Sequence, residues 1–339
     1  MLNEDSPNNP PPWILHTPYR EPDRHWALDK HGRALGKTEP GRRLSSTQLP
    51  VPDPKGETGD WREPDASIEP HATINEIRKH VCDWRNANWP GVHARVQHLL
   101  EYWAREGARM RPFWCQREAV ETLIWLFDAG RTHVPAEHAR IFQKLQQANT
   151  DWNESIPRVA LKMATGTGKT QLMAMIALWW TVRHPGVPVE FLALTPGLTI
   201  RERLRELSDK SGAVWESVTP RGFQSDLGRM RWTVLNFQAF QRQTALSVGG
   251  KQATSKEKEL LAGKGAPEPA SWRESEQEML DRLLKEHRGG GRITVINDEA
   301  HHCYTLRGAA IVKRKEDADE REDRKQAEVW FGVLRALRD

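Results

Sequence analysis

Residues 163–170 read MATGTGKT: two glycines one residue apart, then lysine and threonine, between the apolar run RVALKM (158–163) and the helical pattern QLMAMIALWWTVR (171–183). A strand that enters a glycine turn and leaves as a helix aims successive backbone N–H groups at a phosphate. Gly166 and Gly168 let the backbone curl without a Cβ clash, and the helix start adds its positive dipole end. In this reading Lys169 bridges the β- and γ-phosphates of ATP, and the Thr170 hydroxyl ligates Mg²⁺. Thr165 and Thr167 complete the loop. Met163 stands where such loops open with glycine, which is tolerable while residue 163 still belongs to the strand. The motif therefore demands an α/β fold.

The downstream pattern supplies one. VEFLALT (189–195), WTVLNF (232–237) and RITVIND (292–298) read as strands, with LTIRERLRELSD (198–209) as a helix between the first two. Strands separated by helices imply right-handed crossovers and a mostly parallel sheet. Residues 241–291 read as a solvated excursion with one helix at 275–287, and the mixed-charge run at 313–328 as an exposed loop or helix. The strand RITVIND runs into Glu299. Its end places Asp298 and Glu299 at the C-terminal edge of the sheet, where α/β sites gather. Asp298 then holds the Mg²⁺ shell, and Glu299 orients and deprotonates an attacking water. An isolated Asp-Glu pair is as well explained by an acidic turn. Its place 129 residues after Lys169 (298 − 169), beyond intervening strand-helix units, favours the site.

Upstream, two regions differ in pattern. Residues 1–70 hold 12 of the chain's 22 prolines and show no sustained period, so they read as largely extended or disordered, with Trp13, Trp26 and Trp61 as docking points. Residues 71–150 read as helical. Ile74, Ile77, Val81 and Trp84 form one stripe, and Val92, Val96, Leu99, Leu100 and Trp103 a second, with a break at Trp89-Pro90-Gly91. A third helix follows in CQREAVETLIWLFDAG (115–130), with Ala119, Leu123, Ile124 and Phe127 inside. Residues 151–339 form the α/β domain. Cys82, Cys115 and Cys303 make no C-x-x-C pair, so neither a disulfide framework nor a zinc cluster is expected, and a reducing cytoplasm fits best. With 50 basic against 46 acidic side chains, the charge permits nucleic-acid binding without demanding it. No apolar run approaches a membrane span.

ATGTGKT and DEAHH together resemble motifs I and II of superfamily-two helicases and translocases of the DEAD/DEAH type. More narrowly, MATGTGKT, LTPGLTIRERL, LNFQAF and INDEAHHCY in this order resemble the motor part of the restriction subunit of type III-like restriction endonucleases, from about Ile74 onward. The resemblance implies a RecA-like P-loop ATPase domain acting on double-stranded DNA. It also implies that Gln116, in RPFWCQREAV, reads the adenine base, with Phe113 or Trp114 stacking on it. Thr195, Gly197, Thr199 and Arg201 would meet a DNA strand, positioning it without reading sequence. Asn236 and Gln238 sit where a further strand-contacting motif lies. His301 resembles the motif II residue that communicates with a partner domain, while His302 and Cys303 read equally well as structural.

The resemblance also implies motifs that these 339 residues do not show. A Ser-Ala-Thr motif, the arginine finger of a second RecA-like domain and a nuclease signature are not discernible. The expectation is an N-terminal piece of a larger protein, working with a second domain and nuclease and with a modification (methyltransferase) subunit. Three readings stay open: an ATPase motor half, a nucleotide- and DNA-binding remnant without useful turnover, and a motor fragment of a DNA-repair or RNA helicase.

Overall fold

The computed structural model describes residues 14–29, 32–50, 66–106, 111–132, 136–153, 156–195, 198–240, 247–248, 251–252, 274–283 and 292–298. The chain divides into two compact units, residues 1–144 with 161–176 and residues 145–160 with 177–339.

In the first unit, β1 (Arg24–Leu28) pairs antiparallel with β2 (Ala34–Pro40), and β3 (Ser46–Pro50) with β4 (Ala66–Pro70). The proline-rich segment thus contains extended chain in two ribbons. Two-stranded ribbons are marginal by themselves, and these are clasped by the helices that follow. The Asn75 carboxamide accepts from Ser45 N–H (2.8 Å) and donates to Ser45 C=O (3.0 Å). Arg42 pairs with Glu118, and Trp114 N–H donates to Pro18 C=O (2.8 Å).

Three helices form the core of this unit. α1 (Ala72–Asn86) buries Ile77, Val81 and Trp84; α2 (Ala94–Ala104) buries Val96, Leu99, Leu100 and Trp103; α3 (Trp114–Ile124) buries Val120, Leu123 and Ile124. Each large apolar side chain so enclosed contributes about 1.5–3 kcal/mol. Ile74 departs from the expected stripe. It lies in the first turn of α1, outside the packed stretch, and is 45% exposed. The chain leaves α1 through Asn88 and Trp89, both in the left-handed region (φ 63° and 50°), and Trp84 Nε1 donates to Pro90 C=O (2.8 Å). α3 runs on through a π turn (Trp125–Ala129) into a short α4 (Gly130–Thr132). Beyond it comes a longer helix, α5 (Ala136–Asn153).

The run 158–163 departs from expectation more sharply. It forms no strand, and Val159 is 46% exposed. Pro157 precedes it, and the Arg158 guanidinium bonds to Asn153 Oδ1 and Trp152 C=O, turning the chain back on the end of α5 instead of into a ladder. The division between the two units falls inside this run.

α6 (Lys169–Arg183) begins in the first unit and ends in the second. The second unit is built on β5 (Val189–Thr195), all seven of whose residues are buried, as a strand covered on both faces requires. β5 lies between two parallel neighbours, β6 (Met230–Asn236) and β9 (Arg292–Asn297). Between β5 and β6 come α7 (Leu198–Leu204), a 3₁₀ turn, α8 (Ala213–Val218) and α9 (Gln224–Arg229). The Arg229 guanidinium donates to the carbonyls of Thr181, His184 and Val187 and pairs with Asp226, satisfying the last orphan acceptors of α6 and of the turn that enters β5. A short β7–β8 pair (Ser247–Val248, Lys251–Gln252) and α10 (Glu276–Leu283) precede β9; Met279 of α10 packs with Leu192, Leu194 and Phe240. Among the described residues no helix is long and apolar enough to cross a membrane.

Candidate functional site

The glycine turn has the backbone conformation its sequence calls for and opens into a helix, but the strand expected to enter it and to hold Met163 is not formed. Gly166 (φ 77°) and Gly168 (φ 72°) occupy the left-handed region, and a Cβ placed on Gly166 would meet nothing within 4 Å, so the loop faces open space there. Thr167 Oγ1 donates to Ala164 C=O (2.7 Å), closing the turn. The Gly168 carbonyl takes the first helical bond of α6, from Leu172 N–H (3.2 Å), which makes Gly168 the cap and Lys169 the first helical residue. Thr170 follows, nine-tenths buried. Positive-φ glycines at a helix start, followed by a lysine and a hydroxyl, suit a polyphosphate with its magnesium ion.

Gln116 is joined to this loop in a way that the motif does not reveal. It is fully buried near the start of α3. Its Oε1 accepts from Phe113 N–H (2.7 Å), and its Nε2 donates to Gly168 C=O (2.8 Å). The carboxamide therefore ties the cap of α3 to the cap of α6. A Cβ at position 168 would overlap Gln116 Nε2, so glycine is required there twice, for its φ and for this close approach. Gly168→Ala is accordingly expected to cost about 2–3 kcal/mol, combining left-handed strain with a displaced hydrogen bond. Thermal unfolding measures the loss. Adding Gln116→Ala should then cost less than it does alone, because both changes break the Gly168 contact while only the second removes the acceptor for Phe113 N–H. Of the two aromatic residues expected near the base, Phe113 packs against Tyr19 (5.3 Å), and Trp114 has the Arg85 guanidinium 4.2 Å from its ring centre.

The second unit brings other expected residues to one sheet edge. Thr195 lies opposite Asn236 in the β5–β6 register, and Leu194 opposite Asn297 in the β5–β9 register. Asp298 continues the ladder by one step, its N–H donating to Leu194 C=O (2.9 Å). Thr195 is fully buried and Asn236 nearly so. Arg201, on α7, is half-buried and pairs with Glu202 (3.1 Å). Glu299, His301 and Gly197, and the side chains of Thr199 and Gln238, lie outside the described residues.

A phosphate loop opening a helix, and a parallel sheet whose central strand ends beside an acidic strand end, are the parts of a RecA-like nucleotide-binding domain. The family model of the type III restriction enzyme, res subunit, matches residues 109–320, well over half of the chain. The chain belongs to that family. Its matched region starts just ahead of Gln116 and spans the phosphate loop and DEAHH, leaving out α1 and α2, which the expected resemblance had included. The type III res-subunit domain is a RecA-like P-loop fold, here with a parallel three-stranded sheet. It is the helicase-like, ATP-binding motor domain of these enzymes, a family that uses ATP with magnesium and acts on DNA alongside other subunits. No curated protein and no solved structure matches the chain.

Proposed function

We propose that this res-subunit chain is the first motor domain of a DNA translocase, binding ATP-Mg²⁺ at residues 165–170 and coupling its hydrolysis to contact with double-stranded DNA. The observation that carries this reading is the glycine turn itself, with Gly166 and Gly168 in the left-handed region and Lys169 and Thr170 opening α6. The loop amides and Lys169 bind the phosphates, and the Thr170 hydroxyl and Asp298 would hold the magnesium ion, which when bound neutralises phosphate charge. Glu299 orients the attacking water and takes its proton. Gln116 is assigned to the adenine base: its carboxamide has one N–H and one oxygen lone pair beyond its two main-chain bonds, and because the side chain is fully enclosed, nucleotide binding has to uncover it. Lys169→Ala should weaken ATP binding by roughly tenfold or more, the loss of a charge-assisted contact of about 1.5–3 kcal/mol. Calorimetry giving mutant and parent equal affinity would refute the reading.

DNA contact in this proposal is made by α7 and the residues that precede it in sequence. Arg201 supplies charge, Gly197 and Thr199 supply amide and hydroxyl groups, and the enclosed Thr195 ends β5 just ahead of them. Such contacts neutralise few phosphates and read no bases. Duplex binding should therefore be independent of sequence and weaken with salt at a slope of about −2 to −4 in log K against log salt. Affinity indifferent to salt, or a strong preference for one sequence, would overturn this part. His301 is assigned to communication with a second RecA-like domain. That domain, a nuclease and a modification methyltransferase subunit are the proposed partners.

A further inference from the structure

A polar cavity opens in the first unit, on a different side of α3 from the phosphate loop. Gln116 projects from α3 to Gly168, whereas Trp114 and Arg117 line this cavity; at 100° per residue, neither shares Gln116's side of the helix. Its volume is about 150 Å³, room for several water molecules and so for one phosphate group. Arg20, Arg105, Arg111 and Arg117 line it against only Glu21 and Glu106, a formal excess of two positive charges.

Those two carboxylates leave most of the excess uncompensated. Glu106 meets Arg20 at 3.6 Å where both are solvent-exposed, and Glu21 is drawn to Arg85 (3.6 Å), which is not a lining residue. Arg117 reaches only Glu121, at 3.9 Å, and that carboxylate is held by Arg85 at 2.7 Å. Neither Arg105 nor Arg111 has a carboxylate partner among the described residues. Buried and without partners among the described residues are Arg117 Nε and Trp114 Nε1. Burial, with the like charges of Arg85 and Arg111, pulls the Arg117 guanidinium below its usual range, against the pull of Glu121.

The arginines are also held in place. Arg111 lies over the Tyr19 ring (4.3 Å), Arg105 over Tyr102 (3.3 Å) and Arg117 over Trp114 (5.4 Å). A guanidinium stacked on a ring keeps its planar N–H edge available for an oxyanion, with less entropy left to lose, although Arg105 spends one N–H on Tyr102 C=O (3.2 Å).

From this arrangement we infer that the cavity is a phosphate-binding site separate from the phosphate loop, taking a phosphate of a polynucleotide backbone or of a free phosphate compound. The inference does not depend on the ATP reading, and its test is made in a Lys169→Ala background so that binding at the loop is weakened in parent and variants alike. Two probes distinguish the sources: a labelled short oligothymidylate, titrated by anisotropy over a range of salt, and inorganic pyrophosphate, titrated by calorimetry. Arg111→Gln should weaken one or both by on the order of tenfold and make the oligonucleotide salt slope shallower by about 1. Arg111→Lys should restore the slope but only part of the affinity, since it keeps charge and loses the fork. Arg105→Gln, near the end of α2, provides a second variant should Arg111→Gln lower the melting temperature. Loss confined to the oligonucleotide identifies a strand as the source, and loss confined to pyrophosphate a free compound. The assignment fails if neither probe binds the parent, or if both arginine variants bind both probes as the parent does.

Discussion

Assayed alone, a polypeptide of these 339 residues is expected to release phosphate about 10³ to 10⁵ times more slowly than a motor that places an arginine against the γ-phosphate. That factor corresponds to about 4–7 kcal/mol of barrier, more than retuning of a single general base supplies. The sequence contains the proposed base, Glu299, but no arginine-finger motif. The arginine nearest in sequence to Gln116 is Arg117, and it is committed elsewhere, lying 3.9 Å from Glu121 and against Trp114. ATP binding should survive, because Lys169, Thr170 and the loop amides all come from one short segment. Steady-state phosphate release with and without duplex DNA decides the matter, with Glu299→Gln as control. Turnover on the order of 1 s⁻¹, stimulated by DNA and abolished by Glu299→Gln, would show that these residues form a complete ATPase.

Glu121→Ala should be among the most damaging single changes to the helical unit, lowering stability by about 3–5 kcal/mol. Glu121 is 2% exposed and stands between Arg85, itself only 9% exposed, and Arg117. Its removal leaves two enclosed guanidinium groups with only the half-exposed Glu21, 3.6 Å from Arg85, as a neighbouring anion. By the usual scaling the melting temperature of a unit this size falls by roughly 6–20 °C. A double-mutant cycle with Arg85→Ala separates the pair from simple loss of packing. A large favourable coupling energy is expected, and additive losses would show that the charges do not depend on one another.

The helical stripes were legible because α1, α2 and α3 each bury one face against the others, and period is what the sequence displays. Ile74 fits the stripe by spacing, but spacing does not say where packing begins. β5 was legible as an apolar run interrupted by Glu190, and the loop as a motif. Arg158–Met163 looked equally apolar yet forms no strand, because a preceding proline and the Arg158 bonds to the end of α5 act through side-chain contacts that hydropathy does not record. α5 lies within the region that reads as helical but shows no stripe of its own, because its sequence is polar over much of its surface. The tie between Gln116 and Gly168 crosses 52 residues and involves main-chain groups that every residue carries, so no residue pattern marks it. The clasp between Asn75 and Ser45 is hidden for the same reason.

The order of strands has a consequence for synthesis. β5 is the middle strand of its sheet, yet β9, which completes one of its edges, begins 97 residues after β5 ends (292 − 195). At ribosomal speeds of about 5–20 residues per second, that interval lasts roughly 5–20 s. Through it, seven consecutive residues destined for full burial have a partner strand on one side only. A nascent chain in that condition is a template for pairing with its neighbours on a polysome. Yield during expression should therefore depend on chaperone capacity and on elongation rate through residues 196–291 more than on the stability of the finished fold.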